Sequence, residues 1–204
     1  MNLNFISKYG RLPLFICVAV FFLYWLIKGF SIILFLLVVF LAFLYRNSKT
    51  EIVCLDKKAI LSPVDGEVVS IENIEHSKLG KCIELSIENP LYKQGIIRAC
   101  ADMSIEEIKL RHGLFLGANS AFKRHNERVF ILAKNSLNQF FGLRIFAGCF
   151  DRKLKFSDKS SFKSADELGF SINSTVSLLL PRDTRLVVGL NDSIKASSLL
   201  GYFS

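Results

Sequence analysis

The chain has 204 residues, of which 51% are hydrophobic and 22% charged, and its formal net charge is +8. This length accommodates one domain with a real core plus a membrane segment, and it excludes two large domains. The hydrophobic excess lies in the first quarter of the chain, so it marks a membrane segment and not an unusually apolar core.

The basic balance points to anionic lipid headgroups, since each basic residue near a membrane surface contributes about 1 kcal/mol. Nucleic acid is not the expected partner, because no aromatic-and-basic signature such as an RRM core occurs. Five cysteines (Cys17, Cys54, Cys82, Cys100 and Cys149) are odd in number and widely spaced, and none forms a C-x-x-C pair. They support neither a disulfide framework nor a zinc site and suggest a reducing compartment. His76, His112 and His125 show no metal-ligand spacing, so no metal is expected.

In chain order, Lys8 and Arg11 precede two apolar runs, 12–27 and 30–45, divided only by Lys28-Gly29. One straight helix over the whole span would be roughly 50 Å long, against a hydrocarbon core of about 30 Å. Each half alone is slightly short, at about 24 Å. A helical hairpin turning at Lys28-Gly29 and one tilted helix both remain open. Positive charge flanks both outer ends, with Lys8 and Arg11 before and Arg46, Lys49, Lys57 and Lys58 after. That favours a transmembrane hairpin with both ends cytoplasmic. Residues 1–45 are thus the expected anchor and 46–58 a charged linker. A cleaved signal peptide is disfavoured by the apolar length and by the lack of a small-x-small site.

From Ala59 onward the pattern is mainly β. Residues 60–71 read as a strand, a Pro/Asp-Gly turn and an alternating strand, and 81–87 alternates again. Residues 96–103, 129–134 and 142–149 are strand-like. Residues 104–110 are read as a helical turn or polar loop, since Ser104, Glu106 and Glu107 fit a helix start. Residues 156–167 read as polar loop. Val176 to Leu180 is an apolar run of strand length, stopped by Pro181. The ending alternates short strands with turns, a pattern similar to the compact β-sandwich of lipoyl and biotinyl modules. No carrier lysine stands on a suitable hairpin tip. Residues 59–204 are therefore expected to form one compact β-sandwich or barrel-like domain with lipoyl-like elements.

Several motifs occur in a telling order. Ser62-Pro63-Val64-Asp65-Gly66-Glu67-Val68 comes first, then Asn126-Glu127-Arg128, then Ala147-Gly148 with Arg152-Lys153, then Asn173-Ser174-Thr175-Val176, and finally Leu200-Gly201-Tyr202-Phe203. In this order, behind paired apolar segments, they resemble the phosphatidylserine decarboxylase family, nearest its short, archaetidylserine-decarboxylase-like branch. The resemblance covers nearly the whole chain.

That resemblance implies a membrane-bound, pyruvoyl-dependent carboxy-lyase of phospholipid biosynthesis, made as a zymogen, in the inner membrane with its β domain on the cytoplasmic side. It implies self-cleavage at Asn173-Ser174, after which Ser174 becomes the pyruvoyl group, the electron sink for CO₂ loss from a phosphatidylserine-like membrane phospholipid. Asp65 corresponds to the family's assisting aspartate. Where the family has an assisting histidine, this chain has Gly95, and His125, then His112, are the candidate substitutes. Asn173 stands in place of a glycine. The alternative function is an uncleaved, catalytically degenerate member that binds phospholipid headgroups or a membrane partner. A plain anchored β domain with no lipid role is a third.

Overall fold

The computed structural model describes residues 6–47, 56–113, 125–148, 155–157 and 159–204. Two compact units result, Met1–Lys49 and Thr50–Ser204.

In the first unit a 3-10 turn, Lys8–Gly10, leads into α1 (Arg11–Lys28), and α2 (Ile32–Leu44) follows. Gly29 stops α1 in a backbone conformation that side-chain-bearing residues avoid, at φ 87°, and donates its N–H to the Trp25 carbonyl. The break therefore falls where Lys28-Gly29 predicts it. The Phe21 ring meets those of Phe30 and Phe35, at centroid distances of 5.9 and 6.3 Å. The Ser7 N–H donates to the Tyr45 carbonyl at 2.9 Å, so the two helices return to a common end. Of the described apolar residues in these helices, Phe21 and Leu44 alone are buried. The span Lys8–Lys28 is long and apolar enough to cross a membrane. With 13 residues, α2 is about 20 Å long and falls short of the hydrocarbon thickness of about 30 Å.

The second unit is built of strands: β1 (Ala59–Leu61), β2 (Gly66–His76), β3 (Gly80–Glu88), β4 (Ile96–Arg98), β5 (Met103–Arg111), β6 (Arg128–Asn135) and β7 (Phe140–Phe146). Further along come β8 (Lys155–Phe156), β9 (Ser161–Phe162), β10 (Glu167–Phe170), β11 (Thr175–Pro181), β12 (Arg185–Leu186), β13 (Ser193–Ile194) and β14 (Leu199–Tyr202). An eight-stranded sheet runs in the order β13-β2-β3-β11-β7-β6-β5-β9, and two three-stranded sheets run β1-β14-β12 and β4-β10-β8. Among the described residues every strand pairing is antiparallel.

Alternation makes the core. Val176, Leu178 and Leu180 of β11 point inward with Leu85 and Ile87 of β3, Leu143 and Ile145 of β7, and Val129 and Ile131 of β6. Ile60, Ile97, Leu168 and Leu200 of the smaller sheets join them in one apolar cluster. The fold is thus mainly β behind apolar helices, with layered sheets about a shared core.

Three expectations change. Residues 104–110 are not a helical turn: they are most of β5, paired along β6 from Met103↔Asn135 to Arg111↔Arg128. Apolar residues alternate on each side of Glu106-Glu107 (Met103 and Ile105, then Ile108 and Leu110), but the register shift there breaks the period, most of the strand is exposed, and the acidic pair mimics a helix start. Residues 156–167 are not all loop; they contain β9 and contribute to β8 and β10. The strand expected over 96–103 ends at Arg98, and Met103 begins β5. Cys54, Cys149, Lys49 and the Arg152-Lys153 pair lie outside the described residues.

Candidate active site

Four of the motifs scattered along the chain, those at 62–68, 126–128, 147–148 and 173–176, meet on one row of the large sheet. Glu67 pairs with Glu88, Glu88 with Thr175, Thr175 with Phe146, Phe146 with Arg128, and Arg128 with Arg111. The next position on each strand therefore forms one rim: Gly66, Asn89, Ser174, Ala147, Glu127 and His112, on six neighbouring strands. Two pairings within this rim are hydrogen-bonded. The Asn89 N–H donates to the Ser174 carbonyl at 2.9 Å, and the Ala147 N–H donates to the Glu127 carbonyl at 2.8 Å.

Ser174 stands at the start of β11 and is fully buried, and its Oγ has no hydrogen-bond partner. Asn89 beside it is also fully buried; its Nδ2 donates to the Gln94 carbonyl at 2.6 Å, while its Oδ1 has no partner. Two adjacent rim residues thus carry orphaned polar atoms, each held at a cost of about 1–3 kcal/mol. Asn173 precedes Ser174 at φ 55°, a region Asn enters more readily than most residues. Gly148 backs this turn. A Cβ on Gly148 would lie 1.9 Å from the Ile172 carbonyl oxygen and 2.4 Å from that of Asn173. Only glycine permits this approach to the peptide that precedes Ser174.

Asp65 sits on a clamped turn. The Ser62 hydroxyl donates to the Val64 carbonyl at 2.7 Å, and Asp65 Oδ1 accepts the Ala196 N–H at 2.8 Å. A Cβ on Gly66 would lie 2.3 Å from the Glu88 carbonyl oxygen, so the motif's glycine is also a close-approach residue. Burial pulls the Arg98 guanidinium below its ordinary value, while the carboxylates of Glu167 and Asp65 pull it back up. Asp65 thus faces a half-buried cation. It precedes Gly66, which stands two strands from Ser174, about 10 Å at ordinary strand spacing.

The histidines do not complete the site in this arrangement. His125 is exposed. The His112 ring is 79% exposed, with Nδ1 3.3 Å from Oε2 of the buried Glu127. Neither donates to or accepts from Ser174 Oγ. Gly95 lies against the approach to the turn: its carbonyl accepts the Ser171 N–H at 2.7 Å. A Cβ on Gly95 would be 2.8 Å from the Ser171 carbonyl oxygen and 2.9 Å from the Phe170 ring. Phe170 therefore fills the space into which a side chain at residue 95 would project.

Sequence reasoning missed Asn89, Arg98 and Ala196. Arg98 lies three residues after Gly95. Asn89-Pro90 is a turn signal directly after an alternating strand, the one local feature that marks Asn89.

The phosphatidylserine decarboxylase family model matches residues 38–202. The chain belongs to the phosphatidylserine decarboxylase family. Curated relatives agree with that membership. The chain is 30% identical over 162 residues to a phosphatidylserine decarboxylase proenzyme of Carboxydothermus hydrogenoformans, covering 76% of this chain and 74% of that one. It is 27% identical over 154 residues to the proenzyme of Syntrophus aciditrophicus, covering 72% of each. With the proenzyme of Desulfotalea psychrophila the identity is 24% over 151 residues, covering 71% of each. No solved structure matches the chain. Within this family member the matched span takes in all fourteen strands of the described residues and part of α2.

Proposed function

We propose that this chain is the proenzyme of a pyruvoyl-dependent phospholipid carboxy-lyase, which takes a phosphatidylserine-like membrane lipid to the ethanolamine lipid and CO₂. The helices of the first unit form a transmembrane hairpin in the inner membrane, with both ends and the β unit (residues 59–204) on the cytoplasmic side. The positive flanks, Lys8 and Arg11 before and Arg46 after, support that orientation.

One observation carries the reading. Ser174 is a buried hydroxyl without a partner, placed directly after a positive-φ residue whose carbonyl is backed by a glycine. A buried orphan of this kind calls for a chemical explanation. In self-processing, Ser174 Oγ bonds to the Asn173 carbonyl carbon, the hydroxyl proton goes to the amide nitrogen, and the C–N bond breaks to leave an ester. Elimination then removes the α-hydrogen of residue 174 as a proton and releases the Asn173 carboxylate, leaving dehydroalanine, which tautomerises to an imine. Water hydrolyses the resulting imine, ammonia leaves, and the group remaining on residue 174 is pyruvoyl. Once formed, that group supplies the electron sink for decarboxylation. Asn89 and Gly148 are the residues that would flank it. Asp65 supports the general base and His125 is the candidate base. Because neither touches Ser174 Oγ here, cutting requires a rearrangement that brings a proton acceptor to it.

A second reading has its own observation. Phe170 fills the space beside Gly95, and no base reaches Ser174 among the described residues. On this reading the chain is an uncut member that binds phospholipid headgroups or a membrane partner. Intact mass of the purified chain separates the two. The first reading predicts a split between Asn173 and Ser174 with a pyruvoyl-blocked small chain. A single uncut chain, with Ser174→Ala giving identical behaviour on a gel, rules the first reading out.

A further inference from the structure

The outer face of the large sheet carries a groove that the decarboxylase chemistry leaves unused. It encloses about 330 Å³ and is lined by His76, Lys78, Lys109, Arg111, Arg128 and Arg144, with Ser77 and Phe130. It is built by the tip of the β2–β3 hairpin, which folds back across β11 and β7. The His76 ring stacks on that of Phe130 at 4.8 Å, and Lys78 pairs with Glu107 on β5. Gly142 of β7 makes the fold-back possible: a Cβ there would meet the Phe130 ring at 2.8 Å and Leu79 at 3.2 Å. Arg128, Phe130 and Arg144 have the outward parity of their strands, opposite to Val129, Ile131 and Ile145 of the core. The groove therefore opens on the side of the sheet away from the core-facing parity that Ser174 shares with Val176.

Its charge is unbalanced. The lining has five permanent cations and no carboxylate. Two carboxylates stand beside it: Glu107, shared by Lys78 and Lys109, and Glu84, which accepts from Arg144 at 2.9 Å. Among the described residues, Arg111 and Arg128 have no acidic partner. Burial and the Arg144, Lys78 and Lys109 cations depress the His76 imidazole, while Glu84 opposes them. Like charges held around a concavity repel unless an anion joins them, and guanidinium forks suit phosphate oxygens in two-point contact. The volume lies at the small end of ligand sites, the size of a headgroup and not of a whole lipid.

We propose that this groove binds a phosphate-bearing anion, either the headgroup of an anionic phospholipid or a soluble phosphate ester. The proposal does not depend on Ser174 being cut.

The test uses the full chain in a neutral detergent at low salt, titrated with inorganic phosphate and separately with micellar dihexanoyl phosphatidic acid. Lys109→Gln/Arg111→Gln removes two exposed cations that carry no core packing, and Arg111→Lys keeps the charge but loses the fork. We expect saturable binding of at least one probe, at least tenfold weaker in the double variant, intermediate in Arg111→Lys, and unchanged in Ser174→Ala. Preference for the lipid or for free phosphate identifies the source. Absence of binding to both probes, or equal affinity in the wild type and a double variant with an unaltered melting temperature, overturns the proposal. Loss of binding in Ser174→Ala as well would place the anion at the rim and also overturn it.

Discussion

Gly148→Ala tests how tightly the turn before Ser174 is held. The added methyl would begin 1.9 Å from the Ile172 oxygen and 2.4 Å from the Asn173 oxygen, where no Cβ approaches closer than 3.0 Å. Relief requires a relative backbone shift of about 1 Å. Both sides resist. The turn is fixed by Ser171 N–H to the Gly95 carbonyl at 2.7 Å and by Asn89 N–H to the Ser174 carbonyl at 2.9 Å. Ala147 is fixed by its N–H to the Glu127 carbonyl at 2.8 Å, and its carbonyl accepts Asn126 Nδ2 at 3.1 Å. Losing one or two such bonds costs about 1 kcal/mol each, and overpacking adds about 1–3 kcal/mol. We expect a loss of about 2–5 kcal/mol, which lowers the melting temperature of a chain this size by roughly 4–20 °C. Thermal unfolding followed by circular dichroism in detergent measures it. A Gly148→Ala protein melting within a degree of the wild type would refute the close packing inferred here.

Three further outcomes are expected. Ser174→Ala removes a buried hydroxyl that bonds to nothing, so it stabilises the uncut chain by about 1 kcal/mol or more. Hydrogen exchange read by mass on the uncut species reports this, and a destabilised variant would mean the hydroxyl has a partner. Gly95→Ala costs about 1–3 kcal/mol, because the methyl meets the Ser171 carbonyl oxygen at 2.8 Å; a neutral effect on the melting temperature counts against the contact. Burial pushes the Cys100 thiol up from 9.0 to about 12. The folded state therefore holds this proton more tightly than the unfolded state. The resulting stabilisation is complete below about pH 9 and falls by about 1.4 kcal/mol per pH unit between 9 and 12. Urea unfolding at pH 8 and 10 should lose more stability in the wild type than in Cys100→Ala, and equal losses would contradict the shift.

The legible parts of the sequence were those with one wet and one dry side. The alternation read within 60–71 and over 81–87 falls in β2 and β3, which pair along most of their length. β11 is buried along most of its length and is still legible, because its apolar run is bounded by a turn and a proline. β5 was illegible because a register shift at Glu106-Glu107 splits its alternation into two short halves, and the acidic pair imitates a helix start. The two-residue strands β8, β9, β12 and β13 are too short for any period to register. At the site, each motif could be found along the chain, but the shared rim could not. That rim depends on five non-local pairings whose register no local pattern specifies. The steric roles of Gly66 and Gly148 likewise exist only once β3 and the 171–174 turn are in place.

Most of the matched motif residues have a structural use in this chain. Ser62 closes its own turn, Asp65 receives the Ala196 N–H, and Gly66 admits the Glu88 carbonyl. Asn126 ties down Ala147, Glu127 receives β7 through its carbonyl, and Gly148 admits the turn. A chain that never processed itself would need nearly all of them to hold this fold, so the motif match measures the fold and weighs little on the chemistry. Ser174 is different. Its backbone carbonyl serves the sheet, but its hydroxyl serves nothing in the folded chain and costs free energy to bury. Alanine at this position would build the same rim. The case for catalysis therefore rests on that single oxygen, and the case against it rests on the lack, among the described residues, of a base hydrogen-bonded to it.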